Sequence, residues 1–401
     1  MLYSNLGMNI LEKRTVLLNA IYNISSTFSL LFLNVYLYAY TGSLVITCLY
    51  TIIRIGMFPI FFILGSKIVK KHNFSLTFTI GLIFITLSLV YALSAGKLFE
   101  INGYYVLIAA LLTGIGEGFY WFSSNTCNVA VSTLQSRARF LSISGICNSV
   151  GSLVAPFIAN LIIDNSDNDM SAYKIILLIV IVLYIVVIFI SSFINIKSKD
   201  DNLSLKNSFT FNEPMWRDHC LAVVLYGLRN SLTLALTSVL VFNAAGTGGT
   251  YAKLQSLFAL ITIVSYFLLT KGLDLKHIDK TFIIGVVLAI SSTVVLVMFN
   301  NIYGAIFFGI ANALSSVFYD NPYNYLSANI IAKYKNEMTP RVVARETCLS
   351  FGRCLGMGII VLFYYILPND LYLKTSVILL SLTAVFVDIL LIKYKEKDWS
   401  I

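Results

Sequence analysis

Residues 196–218 read IKSKDDNLSLKNSFTFNEPMWRD, the one substantial polar stretch in the interior of a 401-residue chain. On either side of it the sequence turns into long apolar runs, six in each direction. They cover 15–40, 44–66, 75–96, 104–130, 139–163 and 173–195, then 219–243, 252–270, 281–299, 303–332, 343–366 and 372–392. A helix rising 1.5 Å per residue needs ~20 residues to cross a ~30 Å hydrocarbon core, and each run is close to or above that length. A bilayer core offers no water to backbone polar groups, so runs this long have to be helices. With 58% hydrophobic and 12% charged residues, a soluble fold would have to bury nearly every segment. The expectation is an all-α membrane protein of twelve transmembrane helices in two pseudo-symmetric six-helix bundles, residues 1–196 and 219–401, joined by a cytoplasmic linker at 197–218.

Charge placement gives the orientation. Of the 28 Lys and Arg residues, 21 collect in every second break; Lys97, Lys174, Lys253 and Lys374 lie in the opposite breaks, and Arg54, Arg229 and Arg353 fall inside runs. Basic flanks are retained on the cytoplasmic side, which places both termini there, in a bacterial plasma membrane. The first run follows Glu12, Lys13 and Arg14 and is too long for a signal-peptide core, so it is expected to stay as an anchor. The net charge of +9 calls for no nucleic-acid partner, since anionic inner-leaflet lipid accommodates it. Six cysteines without CxxC spacing and three histidines near loops predict no metal and no cofactor. No Ser/His/Asp grouping at membrane depth and no phosphate-binding Gly loop followed by Lys is present, which argues against an enzyme.

The halves also align weakly. Tyr22–Gly42 against Tyr226–Gly246, an offset of 204, matches Tyr22/Tyr226, Leu30/Leu234, Val35/Val239 and Gly42/Gly246. Gly65/Gly272, Gly145/Gly352 and Gly151/Gly358 pair at an offset of 207. Twelve runs, a charged central loop and two related halves resemble the major facilitator superfamily. Where that family carries Gly-x-x-x-Asp-x-x-Gly-Arg, this chain has Gly65, Ser66, Lys67, Ile68, Val69, Lys70, Lys71, keeping the Gly and the basic residues without the Asp. Gly151 to Ala159, with Pro156, looks like the family's antiporter motif Gly-x-x-x-Gly-Pro-x-x-Gly, with small residues for two glycines. Such a stripe packs helices closely beside a Pro that distorts one of them. The resemblance implies proton-coupled export, and it implies that the first, fourth, seventh and tenth helices line a central cavity.

Those four runs each carry a polar face. An ionisable group at membrane depth is costly and faces a cavity or a partner. In the fourth, Glu117, Tyr120, Trp121, Ser124 and Asn125 recur at helical spacing; in the seventh, Tyr226, Arg229, Asn230, Thr233 and Thr237 do the same. The tenth offers Asn312, Ser316, Asp320, Tyr323, Asn324 and Ser327, with Pro322 able to free backbone carbonyls; the first offers Asn19, Asn23, Ser26 and Asn34. Glu117 is the first candidate for proton coupling and Asp320 the second, hydrated or paired with Arg353. Arg229 calls for a carboxylate or an anionic ligand, and a Glu117–Arg229 ion pair is one alternative. Asn23, Tyr120, Trp121, Asn125, Tyr226, Arg229, Asn230, Asn312, Tyr323 and Asn324 are substrate-binding candidates. Arg54, Gly65, Gly151, Pro156 and Arg353 are candidates for gating or interhelical contact. The aromatic run Phe119 to Phe122 would suit an amphipathic compound. The expected protein is a monomeric secondary transporter of a small molecule, with protons as coupling ion. Uptake of a sugar, peptide or organic acid is the alternative, and a non-transporting receptor or scaffold is the alternative of another class.

Overall fold

The computed structural model describes residues 9–69, 71–131, 137–194, 196, 209–270, 278–334, 337–368 and 371–395. Among them are twelve long helical segments and no strand. They are α1 Ile10–Thr41, α2 Leu44–Val69, α3 Phe74–Ser94, α4 Val106–Val131, α5 Arg137–Asp164, α6 Asp169–Ser191, α7 Pro214–Ala245, α8 Gly248–Thr270, α9 Ile278–Met298, α10 Ile302–Ile331, α11 Met338–Ile366 and α12 Leu371–Ile392. Ten are long and apolar enough to cross a membrane; α5 and α8 are the other two. Exposed Phe189, Val287 and Phe351 belong to a surface solvated by acyl chains rather than water.

Helix ends follow local chemistry. Asn9 and Glu12 form a reciprocal capping box, each side chain accepting the other's backbone N–H at 2.7 Å, so α1 starts five residues before the apolar run does. Pro214 stands in the first turn of α7, where its missing N–H costs nothing. The last five residues of the expected linker, 214–218, are therefore helical. α1 ends at Gly42 (φ 60°) and α7 at Gly246 (φ 75°), the two positive-φ glycines among the described residues. Only glycine takes up that left-handed cap cheaply. α2 is interrupted at Met57, two residues before Pro59. α7 and α10 each contain a π-helical turn, Leu232–Leu236 and Ser316–Asp320. The second precedes Pro322, which cannot donate to the Phe318 carbonyl. That carbonyl instead sits where a Cβ on Gly285 of α9 would be.

The chain divides into two compact units, residues 1–42 with 56–202, and residues 43–55 with 203–401. Within the first, α1 packs on α5 and α6, α3 on α4 and α6, and the second half of α2 on α4. Within the second, α7 packs on α11 and α12, α9 on α10 and α12, and α8 on α10. The second set of pairings is the first displaced by six helices. Gly81 and Gly285, 204 residues apart, repeat it at close range: each is the point where its helix meets the backbone of the next one.

Candidate functional site

In the second unit, α7, α10 and α11 bring the charged residues together. Arg229 is 3% exposed, and its Nη1 lies 3.6 Å from Asp320 Oδ1. The Tyr226 hydroxyl donates to the same oxygen at 2.9 Å. Arg229 Nη2 donates to Ser315 Oγ at 3.4 Å, and its guanidinium carbon lies 4.9 Å from the Tyr319 ring centroid. Tyr226 stacks on Tyr323 at 3.8 Å and 3°, and on Tyr319 at 5.9 Å and 18°. The guanidinium therefore has a carboxylate, a hydroxyl and a π face, the partners a cation at membrane depth requires.

Asp320 closes the π turn that shifts the register of α10 and aims its carboxylate at α7. A π turn inside an α-helix is a frequent mark of a functional site. Asp320 pairs with Arg229 and not with Arg353, which donates through Nε to Asn230 Oδ1 at 2.8 Å. The carboxylate that Arg229 calls for is thus supplied by α10. Arg345 is bound to the neighbouring Glu346 on α11. Ser315, Tyr319 and Tyr323 form an i, i+4, i+8 stripe that the sequence shows but that reads as ordinary helix packing. Asn312 is half-buried and Asn324 exposed.

In the first unit, α1 and α4 meet through neutral groups. Asn19 Oδ1 accepts from Tyr120 Oη and Ser124 Oγ, each at 3.2 Å, and Asn19 Nδ2 donates to Asn128 Oδ1 at 3.0 Å. Asn23 donates to Asn148 of α5. Tyr22 stacks on Tyr120 at 3.4 Å, and Trp121 stands edge-on to both. Glu117 is 6% exposed on the same helix, while Trp121 and Asn125 are half-buried. The expected four-residue aromatic face splits. Phe119 meets Phe61, and Phe122 meets Phe62 and Phe74, because consecutive helical residues point about 100° apart.

Of the interhelical candidates, Gly65 lies against the Phe122 ring, and Gly151 of α5 lies where a Cβ would come 2.9 Å from Ile24 of α1. Ala155 and Ala159 continue that buried stripe beside Pro156. Arg54 is buried at 6% exposure. Arg341, expected as a loop charge, lies in α11 at 5% exposure, 3.9 Å from the Tyr334 ring and 4.6 Å from that of Trp216, with Glu337 as its anion. His219, expected near a loop, is buried and bonded to Ser327. Lys70, Lys271, Gly272, Lys276 and His277 lie outside the described residues.

A duplicated all-helical membrane scaffold with polar clusters inside each unit is that of a secondary transporter, not an enzyme. The sequence profile of the Major Facilitator Superfamily matches residues 15–357, and the chain belongs to that family. It is 24% identical over 392 residues to "Uncharacterized protein YqgE" of Bacillus subtilis (strain 168), covering 95% of this chain and 89% of that one. Its fold is similar to that of the nucleoside transporter NupG, with a TM-score of 0.70 at 13% identity, over 97% of this chain and 100% of that one. A variant of the E. coli fucose:proton symporter FucP gives a TM-score of 0.63 at 16% identity, over 96% and 98%. The protein is an integral membrane transporter for a small molecule.

Proposed function

We propose that the protein exports an amphipathic compound by alternating access, driven by protons, with Asp320 as the proton-carrying carboxylate and Arg229 as its partner. The observation that carries this is the pairing of the buried Arg229 with the half-buried Asp320 of a π turn, with Tyr226 donating to the same carboxylate oxygen. A proton on Asp320 cancels its charge and frees the guanidinium for another anion or dipole; loss of the proton restores the pair. That exchange makes one buried site responsive to protons and ligand together. Glu117 is the second coupling candidate. The half-buried Trp121, edge-on to the Tyr22 and Tyr120 rings, is an aromatic side chain with a polar edge, which suits an amphipathic ring. Outward direction is supported by the Gly151, Ala155, Pro156 and Ala159 stripe and its likeness to the antiporter motif. The charge count and the Bacillus relative support a plasma-membrane protein with cytoplasmic termini.

The test is flux in proteoliposomes under an imposed proton gradient, with ethidium and a labelled sugar as probes. The expected result is gradient-driven ethidium movement that is lost in Asp320→Asn while gradient-free exchange persists. Undiminished gradient-driven movement in that variant removes Asp320 from coupling. Gradient-driven sugar accumulation without ethidium movement replaces export by uptake.

A further inference from the structure

One cation of the second unit stands at membrane depth without an acid. Arg353 comes 15 residues after Met338, the start of the 29-residue α11, so it sits about 22 Å along a helix about 43 Å long. The exposed Phe351 and Leu355 stand two residues to either side of it. At about 100° per residue each points about 160° away, which puts Arg353 on the side of α11 turned from the acyl chains. Its guanidinium makes one hydrogen bond, from Nε to Asn230 Oδ1 at 2.8 Å. No carboxylate pairs with it among the described residues, and its two Nη nitrogens bond to none of them and remain accessible.

Every other arginine of α7 and α11 has an acid beside it: Arg217 has Asp218, Arg229 has Asp320, Arg341 has Glu337 and Arg345 has Glu346. Glu346 shares the Arg353 face of α11, but it lies seven residues earlier, about 10 Å along the axis, and is bound to Arg345. From α2 comes no acid either. Cys354 Sγ donates to the Ile52 carbonyl at 3.5 Å, and the charge nearest that residue in sequence is another cation, Arg54.

The surroundings hold the guanidinium in place. A Cβ on Gly227 of α7 would come 2.6 Å from the Leu349 oxygen and 3.0 Å from the Arg353 nitrogen, so the two backbones meet there and set Arg353 beside Asn230. Asn230 is fixed in turn: its Nδ2 donates to Thr233 Oγ1 at 3.3 Å, and the Thr233 hydroxyl donates to the Asn230 carbonyl at 2.8 Å. Thr233 belongs to the π turn Leu232–Leu236, and turns of this kind are frequent at functional sites. The polar hydrogens left over are the Nη–H groups of Arg353 and the second amide N–H of Asn230, whose oxygen is already taken. In the first unit the corresponding crossing, α1 on α5, is bridged by two amides, Asn23 and Asn148. The fold closes this crossing without a charge, so the cation of the second unit answers to something else.

We propose that the Arg353 guanidinium, with the Asn230 amide, binds a single carboxylate. The planar fork of Nη–H groups matches the two oxygens of a carboxylate. One negative charge cancels the unmatched guanidinium, whereas a doubly charged anion leaves an excess at a depth where charge is costly. The carboxylate belongs to the transported compound or to a free anion held in place; the first source rests on the proposed transport, the binding itself does not.

The test is calorimetric titration of the full chain in detergent micelles with hippurate and with hippuramide, its uncharged counterpart. Hippurate is expected to bind one per chain, and hippuramide at least about tenfold more weakly, the weight of a hydrogen bond to a charged group. Arg353→Gln is expected to lose that preference, and Arg353→Lys, a charge without the fork, to keep part of it. Asn230→Asp supplies a carboxylate from within and is expected to abolish hippurate binding in a folded chain, which decides the matter should Arg353→Gln not fold. Absence of hippurate binding, equal binding of the two ligands, or hippurate held as tightly by Arg353→Gln or Asn230→Asp as by the parent overturns the site. In proteoliposomes under a proton gradient, hippurate movement above that in protein-free vesicles assigns the carboxylate to the transported compound, and binding without movement assigns it to an anion held in place. Hippurate binding that persists while no solute moves with the gradient defeats the transport reading alone.

Discussion

Removing either member of the Arg229–Asp320 pair strands the other, and the structure sets the size of the effect. Two unit charges 3.6 Å apart attract by about 5 kcal/mol at an effective dielectric constant of ~20. Asp320 keeps 29% of its side-chain surface exposed against 3% for Arg229, so water screens part of that attraction. A coupling energy of about 3 kcal/mol is expected, at the lower edge of the ~3–5 kcal/mol lost when one partner of a buried pair is removed. The assay is a double-mutant cycle of Asp320→Asn, Arg229→Gln and the double variant, read by reversible unfolding in mixed micelles. Three kcal/mol is on the order of a hundredfold in the unfolding equilibrium, well beyond the ~0.5 kcal/mol within which independent sites add. A parallel cycle with Arg353→Gln is expected to be additive, because Arg353 is turned to Asn230. Additivity in the Arg229 cycle, or coupling in the Arg353 cycle, refutes the assignment of the pair.

Gly81→Ala places a Cβ 2.6 Å from the Gly116 oxygen and 2.9 Å from the Tyr120 nitrogen, backbone atoms that cannot rotate aside. A loss of about 1–3 kcal/mol is expected in thermal unfolding, and an unchanged midpoint would sink the close approach of α3 and α4. Gly246→Ala has open space around its Cβ, so its cost of about 1 kcal/mol is conformational, and Gly246→Asn is expected to lose less. Beyond α12, hydrogen bonding to Asp218, ahead of the opposing effect of burial, holds Lys393 protonated above its ordinary 10.5. Burial, then donation to Asp218, raises Tyr394 above 10.0. Both folded values are raised, so this stabilisation is present below the unfolded values and is lost as pH climbs through the folded ones. Hydrogen exchange at the end of α12 is expected to accelerate above about pH 10.5 in the parent and to show no such step in Asp218→Asn.

What the sequence reveals and what it hides divide along physical lines. Apolar run length reports helices because the bilayer leaves no other structure available, and the Tyr22–Gly42 alignment succeeds because Gly42 and Gly246 perform the same left-handed turn. Of the glycines paired at an offset of 207, Gly151 and Gly358 do not share an environment: Gly151 presses on Ile24, whereas Gly358 has nothing within 4 Å. Packing glycines follow the neighbour they make room for, which composition does not disclose. Helical spacing likewise found the faces holding Glu117, Arg229 and Asp320 but not their partners. A stripe says which residues share a side of one helix; the crossing and the π turn decide whom they meet, which is why Asp320 reaches Arg229 and not Arg353. Tyr319 went unselected because a buried aromatic in an apolar helix carries no signal until its unpartnered hydroxyl is seen.

The duplication makes the differences between the units informative. Tyr22 and Tyr120 recur as Tyr226 and Tyr323, and the stacked pair is present in both units, at 3.4 Å and 3.8 Å. Around the first stack lies an amide and hydroxyl network of Asn19, Asn128 and Ser124; around the second lie Arg229 and Asp320. Glu117 and Asp320 occupy corresponding positions, 203 residues apart, so an acid at that depth belongs to the repeat. The cation does not: at the offset of 204 that pairs Tyr22 with Tyr226, Ser25 stands where the second unit has the buried Arg229. Shared features answer to packing that both halves need, whereas a buried charge present on one side alone needs a separate reason, since it costs stability wherever it is placed. The coupling proposed at the Arg229–Asp320 pair is such a reason, and it is why Asp320, rather than Glu117 alone, is the residue on which coupling is to be tested.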